Sequence, residues 1–285
     1  MRPSRKTTGL ILLAVLALGL RVCVVFALRT DHAAPVTYEH GRIAENLLAG
    51  RGFSIAFLGS EGPTSQQAPF YPLLLAAAYA CFGVETPDAI LAVQLLQCLA
   101  GTGLVLVVVW LGWVLVPDRP GVGWVAGLGA AVYPTHLYMV THMQVAPWAA
   151  LILTTLLAVV MSPRWQARWR GALLAGTLAG ALLLVEPILA LALPICAMAF
   201  WLGEGGRRWR PRLRPAPLAR LALMAAVAAA VICPWLVRNR LVHGEFVFIK
   251  STFGYALWQG NNPLSWGTDK VPKPSAEVLR RTHDG

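Results

Sequence analysis

The sequence predicts an all-α, polytopic integral membrane protein of about seven transmembrane helices plus juxtamembrane helices. Three observations carry this. The 285-residue chain is 57% hydrophobic, with a mean hydropathy of +0.60. Only 13% of its residues are charged, against about 25% in soluble domains. The formal net charge of +11 comes from Lys and Arg in short stretches between apolar runs. That placement is the positive-inside pattern, which reports topology and argues against a nucleic-acid partner.

The first apolar run, 9–28, follows Arg2, Arg5 and Lys6. A signal peptide opens in the same way. This run is about long enough to span and has no small-x-small cleavage site, so an uncleaved anchor with a cytoplasmic N-terminus is expected. Further spans are expected at 88–116, 121–140, 145–161, 171–186, 187–203 and 218–237. The arginines of 162–170 and 204–220 then face the cytoplasm. The loop 29–87, the turn near 141–145 and everything after Trp235 face outward. The run 70–83 is short for a span and is read as interfacial or re-entrant.

Residues 1–237 thus form a transmembrane region, with 29–87 as its first extracytoplasmic loop. Residues 238–285 begin a larger extracytoplasmic loop. Gly176 and Gly180 form a GxxxG pair suited to close helix packing. Gly50 is a plausible helix C-cap. Cys23, Cys81, Cys98, Cys196 and Cys233 lie in apolar stretches without a CxxC pair and read as small buried hydrophobes. No glycine-rich phosphate loop, HExxH or GxSxG is present.

Three stretches carry a resemblance. They are YEHGRIAENLLAGRGFS at 38–54, QAPFYPLLLAAAYACFG at 67–83 and PWLVRNRLVHGEFVFIKSTFGYALWQGNNP at 234–263. In order and spacing they resemble the GT-C superfamily of membrane glycosyltransferases, in particular the family 39-like group of protein O-mannosyltransferases and lipid A aminoarabinose transferases. The first looks like that family's juxtamembrane helix, the second like its proline–aromatic motif, and the third like the lead into its large outer loop. The resemblance covers roughly residues 9–268 and matches the N-terminal part of longer proteins.

The resemblance implies transfer of a sugar from a polyprenyl-phosphate donor to a glycan, lipid or protein acceptor. The reaction would occur on the extracytoplasmic face of a bacterial inner or plasma membrane. It implies no soluble cofactor. A divalent metal occurs in the wider superfamily, but no acidic cluster for one stands out in this sequence.

Such chemistry needs a carboxylate for the acceptor and cationic or amide groups for the leaving phosphate. The family's first-loop Asp falls near Val36, which is not acidic. Glu39 is the nearest acid within the motif, with Asp31 closer to the first span. A carboxylate at a helix N-terminus also has a purely structural reading for Glu39. Tyr38 and Arg42 share its helix, and Arg42 could instead pair along the helix surface. Arg51 meets either a donor phosphate or lipid headgroups. Gln67 stands where the aminoarabinose transferases have a Lys, and Tyr71 is a substrate contact or an interfacial anchor. Gln144 stands where relatives often have an acid, with His142 beside it. Glu186 is an acid at the outer end of a span. Arg238 and Arg240 lie outside against the positive-inside trend, which points to an anionic donor unless a long loop relaxes the rule.

Two rivals remain. A non-catalytic relative that binds lipid or scaffolds a complex fits the departures at Val36 and Gln144. A transporter or lipid flippase requires charges deep in several helices, and Arg21 and Glu186 are the candidates.

Overall fold

The computed structural model describes residues 5–28, 37–57, 60–202 and 215–261. Asp31, Val36, the arginines of 204–214 and Asn262 onward lie outside the described residues.

The chain is overwhelmingly helical. Helix α1 spans Arg5–Leu28, α2 Tyr38–Leu48, α3 Phe70–Phe82 and α4 Pro87–Leu115. There follow α5 (Gly121–Val132), α6 (Pro134–Met139), α7 (Ala146–Met161), α8 (Pro163–Gln166) and α9 (Trp169–Val185). After a 3-10 turn at Pro187–Ala192 come α10 (Leu193–Leu202), α11 (Pro215–His243) and α12 (Phe253–Asn261).

Among the described residues three helices are long and apolar enough to cross a membrane: Lys6–Leu28, Pro87–Leu115 and Pro217–His243. At about 1.5 Å per residue, the 29-residue α4 exceeds a hydrocarbon core of about 30 Å. It is also the hub. It packs against α1, α3, α5 and α7, and the chain continues outward through α7 to α9 and α9 to α11.

The α9–α11 contact explains the GxxxG pair. A Cβ on Gly176 would lie 2.5 Å from the Met224 carbonyl, and one on Gly180 2.6 Å from Val231 Cβ. Lipid tails are as apolar as leucine, so close backbone approach is what binds such helices.

Two expected spans are interrupted. The run 121–140 is not one helix, because α5 ends at Val132 and Tyr133 is extended before Pro134, as a residue preceding proline prefers. Pro134 has no N–H to offer the carbonyl of Ala130. Arg21, fully buried on α1, donates Nη2 to that carbonyl at 3.4 Å and Nη1 to Ala17 O at 2.9 Å. The run 187–203 likewise opens as a 3-10 turn after extended Glu186 and Pro187.

The turn between α6 and α7 is served in the same way. Gln94 Nε2 donates to Thr141 O at 2.7 Å, and Gln97 Nε2 donates to Val140 O and His142 O at 3.0 and 2.8 Å. At the other end of the bundle, Gln166 Nε2 donates to Val160 O and Arg220 Nη1 to Ala167 O at 2.7 Å. Buried backbone that leaves the helix needs such partners, because an unpaired carbonyl away from water is costly.

The first loop holds one element outside the all-α reading. Strands β1 (Ser54–Phe57) and β2 (Ser60–Pro63) pair antiparallel, with Ser54 opposite Pro63 and Phe57 opposite Ser60. The period-two alternation of Phe53, Ile55 and Phe57 was its sequence signal. Before the hairpin, α2 ends as expected. Gly50 sits at φ 73°, Gly50 N–H reaches Leu47 O at 3.2 Å, and Arg51 N–H reaches Asn46 O at 2.9 Å. These are the two bonds of a Schellman C-cap.

Candidate functional site

Helices α2 and α3, the hairpin, the α6–α7 turn and the C-terminal ends of α9 and α11 meet at one end of the bundle. The arrangement is built from α2 upward. Its buried residues Gly41, Ile43 and Ala44 face α3 and the hairpin. His40 lies one helical turn away on the same side. Its ring meets Tyr71 edge-on at 5.0 Å, and its buried Nδ1 has no hydrogen-bond partner among the described residues. Burial, with the positive charge of Lys250 in support, lowers its pKa to about 4. His40 is therefore a neutral imidazole near neutral pH.

Lys250 pairs with Glu186 at 3.9 Å, both side chains a quarter exposed. The pair joins the segment after α11 to the end of α9. At that exposure it adds under about 1 kcal/mol of stability, so it is a weakly held, available pair of charges. Tyr71 lies beneath. It is fully buried, and its hydroxyl donates to Gln97 Oε1 at 2.8 Å, while burial raises its pKa. Neither reading from the sequence holds for it, whether interfacial anchor or accessible substrate contact, because α3 packs this face against α4. The same Gln97 oxygen accepts the Gln144 backbone N–H at 3.5 Å. A line of contacts thus runs from Gln144 through Gln97 and Tyr71 to His40, and the Lys250–Glu186 pair is close enough for the Lys250 charge to act on His40.

The other sequence candidates separate into open and occupied groups. Glu39 is exposed in the first turn of α2 and has no hydrogen-bond or ion-pair partner among the described residues. Tyr38 precedes it at φ 51°, a left-handed conformation that costs a non-glycine residue about 1 kcal/mol or more. Thr37, whose Oγ1 donates to Glu85 at 2.9 Å, anchors that entry. Gln67 is half-buried. Arg42 pairs with Glu45 at 3.2 Å rather than with Glu39. Arg51 donates Nε and Nη2 to Asn46 Oδ1 at 2.9 and 2.6 Å. His142 Nδ1 lies 3.0 Å from Thr141 Oγ1.

Arg238 is the most heavily used. Its Nη1 donates to Thr64 O at 2.7 Å and Ser65 Oγ at 3.0 Å, and its Nη2 to Phe53 O at 2.9 Å. It also stacks over the rings of Trp235 and Phe53. It closes the open end of the hairpin, so these donors do not face a phosphate. Arg240 donates Nη1 to Gly244 O and caps α11.

Beside Arg238 lies a knot that the sequence reading missed. Asn239, fully buried, donates Nδ2 to Val247 O and Phe248 O at 3.3 and 3.0 Å. Its Oδ1 therefore accepts the single hydroxyl proton of Ser65 at 2.8 Å. His243 Nε2, 2.8 Å from Ser65 Oγ, must then be the donor. Ser65 and His243 form a structural tie and not a nucleophile–base pair.

His40, Lys250, Ser65, Asn239 and Gln97 all escaped selection from sequence. His40 shares an i, i+3, i+4 face with Ile43 and Ala44, which marks it as buried. Lys250 interrupts the apolar stretch VFIKSTF, and Asn239 sits inside an apolar helix. Comparison of the chain with protein-family models, curated proteins and solved structures finds no match.

Proposed function

We propose that the chain is a membrane glycosyltransferase crossing the bilayer about seven times, with the four shorter apolar segments spanning alongside α1, α4 and α11. It would move a sugar from a polyprenyl-phosphate donor to an acceptor at the outer face of a bacterial inner membrane. The observation that carries this reading is the presence, at one end of an apolar bundle, of an open carboxylate on α2, a neutral imidazole beside it in the chain and a loosely paired Lys250.

The step is a single displacement at the anomeric carbon. The acceptor oxygen forms the new bond and Glu39 takes its proton. The bond to the donor phosphate breaks, and the phosphate leaves with the electron pair. Lys250 stabilises the charge that develops on the leaving group, and Gln67 and Arg51 of the first loop are further candidates for it. Glu186 keeps Lys250 in place until the phosphate competes for it. Arg238 shapes the loop in this scheme, and Asp31 remains a second carboxylate candidate.

One observation favours a non-catalytic lipid-binding relative instead: Arg238, the cation best placed by sequence for a phosphate, is committed to the hairpin. The transporter reading loses its deep charge, because Arg21 serves the broken α5–α6 backbone.

The test incubates the full chain in membrane vesicles with polyprenyl-phosphate hexose and pentose and measures release of polyprenyl phosphate. Glu39→Gln is expected to lower turnover by about a hundredfold with donor binding retained, and Lys250→Gln to weaken donor binding. Release that is absent with wild type, or unchanged in Glu39→Gln, rejects the assignment.

A further inference from the structure

A second site lies at the opposite end of α1. Gly9, Leu12, Leu13 and Leu16 of α1 and Trp124 and Leu128 of α5 line an open groove of about 590 Å³. Its walls are apolar except at one end, where Lys6 stands. The Lys6 ammonium lies 5.9 Å from the Trp113 ring centre, and Trp113 meets Trp124 edge-on at 5.6 Å. Among the described residues Lys6 has no carboxylate partner.

Two dimensions identify the occupant. From Lys6 to Leu16 the helix rises about 15 Å. That is half of a hydrocarbon core of about 30 Å, the depth of one leaflet. Paired tryptophans beside a lysine mark the membrane–water boundary. With the N-terminus inside, this boundary belongs to the cytoplasmic leaflet, where anionic lipids concentrate.

We infer that the groove holds one acyl chain of an anionic phospholipid of the cytoplasmic leaflet, its phosphate seated on Lys6 between Trp113 and the α1 N-terminal turn. The inference rests on the membrane reading and the inward N-terminus, and not on glycosyl transfer. The Trp124 ring closes the upper wall, since a Cβ on Gly9 would come 2.9 Å from Trp124 Cη2. Leu12 and Leu128 are 65% and 50% exposed and would otherwise face mobile lipid.

The test is native mass spectrometry of the full chain released from nanodiscs of equal phosphatidylglycerol and phosphatidylcholine with identical acyl chains. One phosphatidylglycerol is expected to be retained in preference. Lys6→Gln should cut that preference roughly fivefold, the discrimination expected of one basic residue at a membrane surface. Leu128→Trp, which fills an exposed part of the groove, should reduce retention of both lipids. Equal retention of the two lipids by wild type, an unchanged preference in Lys6→Gln, or a lipid-free dimer sealed through this face each overturns the inference.

Discussion

The α9–α11 interface and the outer end of the bundle are held by opposite means. Where α9 meets α11 at Gly176 and Gly180 both chains are helical, and the two glycines let the partner come within contact distance without a polar side chain. At the outer end the backbone leaves the helix, and its carbonyls need donors. Arg238 serves Phe53 and Thr64, Asn239 serves Val247 and Phe248, and Gln97 serves the α6–α7 turn. The lesson is that a polar residue in this bundle is first a donor to broken backbone. Those left over, Glu39, Lys250 and Glu186, are the ones available for chemistry.

The sharpest way to break that contrast is Arg238→Met. It strands the Thr64 carbonyl and takes one of two partners from the Phe53 carbonyl and a donor from Ser65 Oγ, and with the lost ring contacts the loss is expected to be about 3 kcal/mol. Thermal unfolding in detergent, with protease cleavage within the first loop, measures it. Arg238→Lys should not rescue, since one ammonium cannot span the forked contacts.

Acid comes next. His40 is held neutral with its pKa lowered to about 4, while the unfolded imidazole titrates near about 6.5. Between these values the unfolded state binds the extra proton, so stability is full above about pH 6.5 and falls as pH drops toward about 4, by up to about 3 kcal/mol. Protease resistance of α2 across this window should show the fall, and His40→Phe should flatten it. A profile unchanged by His40→Phe removes the histidine from the account.

The apolar side of the comparison is tested by Gly180→Leu. It forces α11 away from α9 and is expected to cost about 2 kcal/mol, read as a lower midpoint in the same unfolding assay. Arg42→Ala is the control at the bottom of the scale. Its pair with Glu45 is exposed, so a change under about 0.5 kcal/mol is expected.

The helical positions were legible wherever local rules govern. The apolar runs placed α1, α4 and α11, the likeness of 38–54 to a juxtamembrane helix pointed to α2, and Gly50 marked its end. The expected span 121–140 is two helices, because Pro134 breaks it. The hairpin was missed because four-residue strands barely register beside helical runs. Of the candidate site, Glu39 and Glu186 were visible as acids at helix ends. Lys250 and His40 were not selected, since each takes its meaning from a neighbour distant in the chain.

The all-helical class, the runs long and apolar enough to cross a membrane, and the glycines that let helices close were all readable from the chain alone, because hydrophobic length and helical spacing are written within a few turns of it. Only the tertiary structure decided which polar side chains are spent and which are free. Arg21 reaches Ala130 across 109 residues and Arg238 reaches Phe53 across 185. A carbonyl freed by a proline or a hairpin takes the nearest donor in space, and no local pattern says which donor the fold will bring there.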